Sequence, residues 1–214
     1  AQDARGPRRA EARPHGLSAW GSVPSGAQLR PHGPAASLRR MPKFDAKSAE
    51  VLLFSYKDGL LAKVAHDLKM RVDEFSIDVA DDLSSVKATF QANRVSVLTA
   101  MKDGRDDQGT LSDGDKKKIL ANISDDVLAS RRYPTVSFES TGVREQGNTR
   151  VVTGNLTLHG QTRSVTATVR EDGAHWTTDV TLQQTQFGIK PYNALMGALK
   201  VKDDVRVTVR VPKS

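Results

Sequence analysis

Apolar and polar residues alternate with period two through most of the second half of the chain. Val152, Leu156 and Leu158 share a parity with Gly154, while Val151, Thr153, Asn155 and Thr157 share the other. Successive side chains of a strand point to opposite faces, so this pattern predicts a strand with one face buried and one wet. His159-Gly160-Gln161 breaks the run, and Val165, Ala167 and Val169 then alternate with Thr166, Thr168 and Arg170. Two amphipathic strands around a Gly-containing turn predict a hairpin over residues 150–169.

The same design recurs along the chain. Leu68, Met70 and Val72 alternate with Lys69 and Arg71; Phe75, Ile77 and Val79 with Ser76 and Asp78; Val86, Ala88 and Phe90 with Lys87 and Thr89. Val136 and Phe138 begin a strand that Gly147-Asn148 turns back, Trp176, Val180 and Leu182 mark another, and Val205, Val207, Val209 and Val211 mark the last. Ala49 to Tyr56 is strand-like by its Val, Leu, Phe and Tyr content, too crowded for parity to choose a face, and Val95 to Met101 is a less patterned candidate. Leu60 to His66 reads as a short helical or irregular connection after a turn at Lys57-Asp58-Gly59, and residues 103–110 read as a polar loop. About eight to ten short strands with short links predict an all-β, antiparallel barrel or sandwich.

The period changes once. Ser112 can cap a helix whose first turn carries Asp113 and Asp115, and Ile119, Ile123 and Val127 mark one face supported by Leu120 and Leu128. Arg131-Arg132 suit a last turn, and Pro134 stops continuation, so one α-helix is expected over about 112–130, placed to cover an open end of the sheet.

Charge changes the picture less than it first suggests. The 214 residues carry a net +7, but residues 1–40 hold seven Arg against Asp3 and Glu11, which accounts for +5 and leaves +2 for Met41 onward. A nearly neutral domain with sparse aromatics is a poor nucleic-acid binder. That leader also holds five of the nine prolines, so it reads as disordered, with Met41 the expected native start and residues 41–214 the folded domain. With no secretory h-region in the leader the protein is expected in the cytoplasm, the periplasm being the alternative. The absence of cysteine excludes disulfides, thiolate metal sites and thiol nucleophiles. No apolar run reaches the roughly 18 residues of a membrane-spanning helix.

Candidate chemistry is thin. His66-Asp67 invites an acid–base reading, yet neighbours in an extended chain point apart, which favours a structural role. His66, His159 and His175 lack the spacing of metal ligands, and no serine sits in a Gly-x-Ser-x-Gly elbow, so no catalytic residue and no metal site are assigned. Gly188, Pro191 and Gly197 bracket Tyr192, Leu195 and Met196 in a segment that reads equally as an openable lid or a fixed plug.

The segments VAHDL at 64–68, RRYPTVSFEST at 131–141, GNLTLHGQTRSVT at 154–166 and FGIKPYNALMGALKVKDDV at 187–205 together resemble the YceI-like, lipid/polyisoprenoid-binding family over about residues 41–213. The resemblance implies a closed eight-stranded antiparallel barrel, lipocalin-like, with a helix over one side and an elongated apolar pore. It also implies carriage of an isoprenoid quinone or a polyprenyl pyrophosphate. By parity and bulk, Phe54, Leu68, Met70, Phe90, Phe138, Val152, Leu156, Val169, Leu182 and Val207 are the expected pore residues, with Ala88, Gly154 and Ala167 leaving room among them. Arg131, Arg132, Lys190, Tyr192 and Met196 are the head-group or lid candidates. The expected partner is a polyisoprenoid or other lipid, without a required cofactor, nucleic acid or stable membrane insertion, and with a homodimer as the open oligomeric option. Two rivals stand beside non-catalytic carriage: an enzyme acting on a lipid-like substrate through His66 and Asp67, and a stress-related interaction module with a filled core.

Overall fold

The computed structural model describes residues 42–58 and 65–213. The leader, Met41 and most of the connection expected over Leu60–His66 lie outside the described residues. In chain order the strands are β1 (Lys43–Phe44), β2 (Glu50–Asp58), β3 (Asp67–Val72), β4 (Phe75–Val79), β5 (Val86–Gln91), β6 (Val95–Lys102) and β7 (Arg105–Asp107). After the helix come β8 (Thr135–Gln146), β9 (Thr149–Leu158), β10 (Gln161–Asp172), β11 (His175–Gln183), β12 (Asn193–Ala194) and β13 (Leu199–Pro212).

The hairpin read from the alternation is β9–β10. Leu158 pairs with Gln161 across His159 and Gly160, whose φ values of 51° and 72° give both central residues the left-handed backbone that the right-handed twist of a two-residue hairpin favours. Gln146 likewise pairs with Thr149 around Gly147. A third such turn was hidden in the stretch expected as a polar loop over 103–110. Asp103 and Gly104 reverse the chain so that Arg105 pairs with Lys102 and Asp106 with Met101. Three polar residues carry no alternation to read, because this short edge strand buries neither face.

All pairings are antiparallel, and they join the strands in the order β1-β4-β5-β8-β9-β10-β11-β13-β2-β3-β6-β7, with β12 added to β13. The terminal strands β1 and β7 do not pair with each other. The closed eight-stranded barrel is therefore corrected to an open, curled thirteen-stranded sheet, within the larger count that short edge strands produce. Its ends are nevertheless tied covalently. β3 runs into β4 through Asp73-Glu74, and β5 runs into β6 through residues 92–94. At this bend the Asp73 N–H donates to the Arg94 carbonyl (2.7 Å) and the Gln91 N–H to the Glu74 carbonyl (3.0 Å). One long hairpin is thus folded in two: its β4–β5 half joins β8, and its β3–β6 half joins β2.

The helix begins as its sequence requires. The Ser112 hydroxyl accepts from the Asp115 N–H at 3.1 Å while the Asp115 carboxylate accepts from the Ser112 N–H at 3.1 Å, a reciprocal cap. It ends earlier than expected. The α-helix α1 spans Asp113–Asn122, and Ile123–Val127 forms a single π turn in which the Leu128 N–H reaches the Ile123 carbonyl at 2.8 Å. Ala129 then takes a left-handed φ of 44°, so Arg131 and Arg132 sit in the following turn rather than in a last helical one.

Two clusters make the core. Phe44, Val51, Val72, Phe75, Ile77 and Ala88 form the first, with Val207, Val209 and Val211 packed on it, and the Phe75 and Phe90 rings meet with centroids 6.1 Å apart. Leu156, Phe187 and Ile189 form the second, with Val127 and Leu128 from beyond α1 packed on it. Phe138 touches both.

Candidate functional site

Register carries one apolar face across the sheet. Met70 pairs with Leu53, Leu53 with Val207, Val207 with Val180, and Leu182 with Val205. On the other side Ala167 pairs with Val152, Leu156 with Phe138, Phe138 with Ala88, and Phe90 with Phe75. Every expected pore residue except Phe54 lies on this face. Phe54 pairs with Arg206 and Lys69, on the same parity as Leu52 and Tyr56, and the Arg206 guanidinium lies 4.2 Å from its ring centroid. The crowded AEVLLFSY run concealed that parity: Val51 and Leu53 face inward, and Phe54 is buried on the outer face beneath an arginine.

Burial along the inner face is uneven. At the first cluster it is tight, with Val51 only 2% exposed. Along β10, β11 and β13 the inward residues Val165, Ala167, Val169, Val180, Leu182, Val205, Val207 and Val209 are only half-buried. A core side chain in a sealed sheet protein is normally enclosed by several others; these have neighbours along the sheet and incomplete cover above it. The apolar residues of α1, Ile119 and Leu120, are likewise half-buried, and α1 buries none of its residues fully.

Gly154 does not leave room as expected. A Cβ there would stand 2.5 Å from the Glu139 carbonyl oxygen and 2.5 Å from Phe138 Cζ, so the absent side chain is the seat of the Phe138 ring. Phe138 therefore divides the inner face between the two clusters.

The first part of the lid-or-plug segment is packed into the core. After β11 a 3-10 turn, Gln184–Phe187, and the left-handed Gly188 drive Phe187 (1% exposed) and Ile189 under Val127 and Leu128, while the Gln184 side chain donates to the Lys202 carbonyl at 2.9 Å. This part is a plug, and Phe187 and Ile189 were missed because no alternation marks them. Tyr192 is tied to α1 by a 3.2 Å hydrogen bond donated by Asn122 Nδ2. Lys190 is exposed, and Met196 projects into solvent. Arg131 and Arg132 line an open depression of about 270 Å³ with Ser124, Asp125, Ala129 and Ser130, and Arg132 also stacks over Tyr133 at 5.2 Å. A second depression, about 470 Å³, is lined by Lys102, Asp103, Arg105, Asp106 and Asp107. Neither depression is on the apolar face.

The polar candidates do not assemble. Asp67 accepts the Lys57 N–H at 2.8 Å, His66 is exposed, and His159 rests on the Tyr133 ring with centroids 4.3 Å apart. Among the described residues no three His, Asp or Glu side chains are arranged to hold a metal ion. On the outer face, Asp179 accepts from Thr208 and pairs with Arg170 at 2.9 Å; the Thr208 hydroxyl bond is the main reason its carboxyl is held below the usual range, burial opposing it and Arg170 assisting.

A curled antiparallel sheet with an incompletely covered apolar face defines a barrel-like β domain. The YceI-like domain pattern matches residues 43–212, and the chain belongs to that family. A UPF0312 protein of Pseudomonas aeruginosa is 38% identical over 77 residues, 31% of this chain and 40% of that protein. A UPF0312 protein of Pseudomonas putida is 41% identical over 78 residues, 31% of this chain and 41% of that one. The match thus spans about 40% of the length of these curated relatives. Among solved structures, Burkholderia cenocepacia BcnA superposes with a TM-score of 0.57 at 18% identity, covering 79% of this chain and 99% of that one. A mutant CJ YCEI protein with a monobromobimane guest gives 0.50 at 12% identity, covering 67% and 82%. These likenesses establish the fold. Among the described residues no helix is long and apolar enough to cross a membrane.

Proposed function

We propose that this protein binds one elongated apolar molecule of the polyisoprenoid type along its inner face and carries it without chemical change. The observation behind this reading is the row of inward Val, Leu and Ala side chains on β10, β11 and β13 that the fold leaves half-buried. Such a row is almost wholly hydrocarbon, since Thr178, in register with Val169 and Val209, donates its hydroxyl to the Thr168 carbonyl, and each methylene it covers contributes about 0.8 kcal/mol. A branched hydrocarbon chain suits it better than a compact polar metabolite. Family membership supports the same class of ligand, and the dispersal of His66, Asp67 and His159 favours carriage over catalysis. The cargo's head, quinone or pyrophosphate, would lie beyond the apolar row, and the depression lined by Arg131 and Arg132, being off that face, does not choose between them.

Native mass spectrometry of the purified full chain, with analysis of its organic extract, tests this. A stoichiometric prenyl species that returns on adding solanesol to stripped protein is the expected result. Protein that emerges empty and takes up no solanesol would refute carriage and indicate that α1 and the plug close the inner face.

A further inference from the structure

Leu195 and Met196 are the exposed large hydrophobic residues among those described, Leu195 at 66% and Met196 fully open at 104%. They form the tip of a small hairpin in which Asn193 pairs with Lys200 and Ala194 with Leu199. Both tip residues hold a left-handed backbone, φ 51° and 54°. Branched or long side chains disfavour that conformation, and it persists only where surrounding structure imposes it. Here the Ala198 N–H bonds the Leu195 carbonyl at 3.1 Å and the Val201 N–H bonds the Tyr192 carbonyl at 3.0 Å, closing the loop from below. The Tyr192 hydroxyl then ties it to α1. A strained, braced loop that displays Leu and Met rather than Gly or Asn contradicts ordinary turn chemistry, which marks the display itself as the product.

The occupant is constrained by size and charge. A stable protein interface buries about 800 Å² on each partner, far more than two side chains offer. A bilayer needs only isolated apolar tips and cationic flanks. Between Gln186 and Lys202 the chain has Lys190, Lys200 and Lys202, all exposed, and no acidic residue, the acidic groups Asp58, opposite Lys200, and Asp203-Asp204 lying on the strand side of the loop. The tip is also the continuation of β13, whose Val205, Val207 and Val209 line the inner face.

We propose that the Leu195–Met196 tip docks the protein onto an anionic phospholipid surface, at the end of the sheet where an apolar chain passes between bilayer and inner face. This rests on the carriage reading above. The absence of cysteine makes the test direct. Met196→Cys in the full chain is labelled with bimane, and Thr166→Cys, on the outer face, serves as the control. Vesicles of phosphatidylcholine with phosphatidylglycerol should shift the emission of the position 196 label to the blue and leave that of position 166 unchanged. Leu195→Ser/Met196→Ser should lower vesicle partitioning about tenfold or more, without loss of fold because neither side chain is buried. A label at 196 that stays in water with these vesicles overturns the proposal. So does a blue shift that rises with protein concentration in the absence of lipid, which would place the tip against a second copy. Solanesol uptake is read separately. Uptake with no insertion removes docking and leaves carriage, and insertion with no uptake removes carriage and leaves docking.

Discussion

Gly154→Ala tests how tightly the divided inner face is built. The added methyl carbon would lie 2.5 Å from the Glu139 carbonyl oxygen, 2.5 Å from Phe138 Cζ and 2.6 Å from Phe138 Cε2, against the roughly 3.4 Å at which such contacts become ordinary. Nothing nearby yields cheaply. The carbonyl belongs to the β8–β9 ladder, where Ser140 faces Gly154 and Glu139 faces Asn155, and the Phe138 ring is packed against both core clusters. Overpacking of this kind costs about 1–3 kcal/mol, and the involvement of backbone places this site at about 2–3. For a domain of this size each kcal/mol moves the melting temperature by about 2–4 °C, so thermal unfolding should shift down by about 4–12 °C. Phe138→Leu removes the ring atoms that clash but leaves the carbonyl. The double variant should therefore be less destabilised than the sum of the singles, by about 1 kcal/mol in a denaturant cycle. A Gly154→Ala protein within about 0.5 kcal/mol of the parent, or strictly additive singles, would show that Phe138 is not seated on Gly154.

Ala167→Leu should cost less than about 1 kcal/mol in urea unfolding while lowering solanesol uptake, because its inner-face site is half-buried; a loss of 1–3 kcal/mol would indicate a filled interior. Phe187→Ala empties a site 1% exposed and should cost about 3–5 kcal/mol, measured by the same assay; a change under 1 would show that the plug is not part of the core. Asp179, with its pKa lowered in the fold, contributes stability that is complete above the unfolded carboxylate value of about 3.9 and is lost as pH falls through the folded value below it. Asp179→Asn should therefore flatten the melting-temperature profile below about pH 4 and leave its shape near neutrality unchanged; an equal shift at every pH would argue against that linkage.

How much of this was legible in the sequence depended on whether a segment had one wet face. β9, β10 and the later part of β13 do, and alternation marked the β9–β10 turn and the inward row, although β13 begins at Leu199, well before the run that Val205 opens. β2 has apolar residues on both faces because Arg206 covers Phe54 from outside, so period two disappears and bulk alone chose the wrong side. The plug was invisible for a different reason. Phe187 and Ile189 enter the core from a 3-10 turn and a left-handed glycine, a geometry with no sequence period. The helix start was readable from Ser112 and Asp115, whereas its end was set by the π turn, a choice between the carbonyl four residues back and the one five back that side-chain patterning does not encode. The open, folded-over form of the sheet was unreadable too, since it depends on a bend at residues 73–74 and 92–94 where the strands only look interrupted.

The bend, the plug and the tip together fix where an apolar chain can enter. The folded-over hairpin places the tight first cluster at one end of the inner face, with Phe44 from β1 closing it. Phe187 and Ile189 occupy the other end beneath Val127 and Leu128, and they are joined to the tip by only a few residues through Tyr192. The half-buried row on β10, β11 and β13 runs from one to the other, with Val207 and Val209 against the first cluster and Val165 and Leu182 against the second. Beside that row α1 packs against β6 and is weakly held, since none of its residues is fully buried and Asn122 links it to Tyr192. A ligand that displaced α1 would give up little core packing, whereas one that displaced the plug would give up Phe187. The two routes differ in consequence: Asn122→Ala should speed solanesol uptake if the chain enters beneath α1, and leave the rate unchanged if it enters past Ile189.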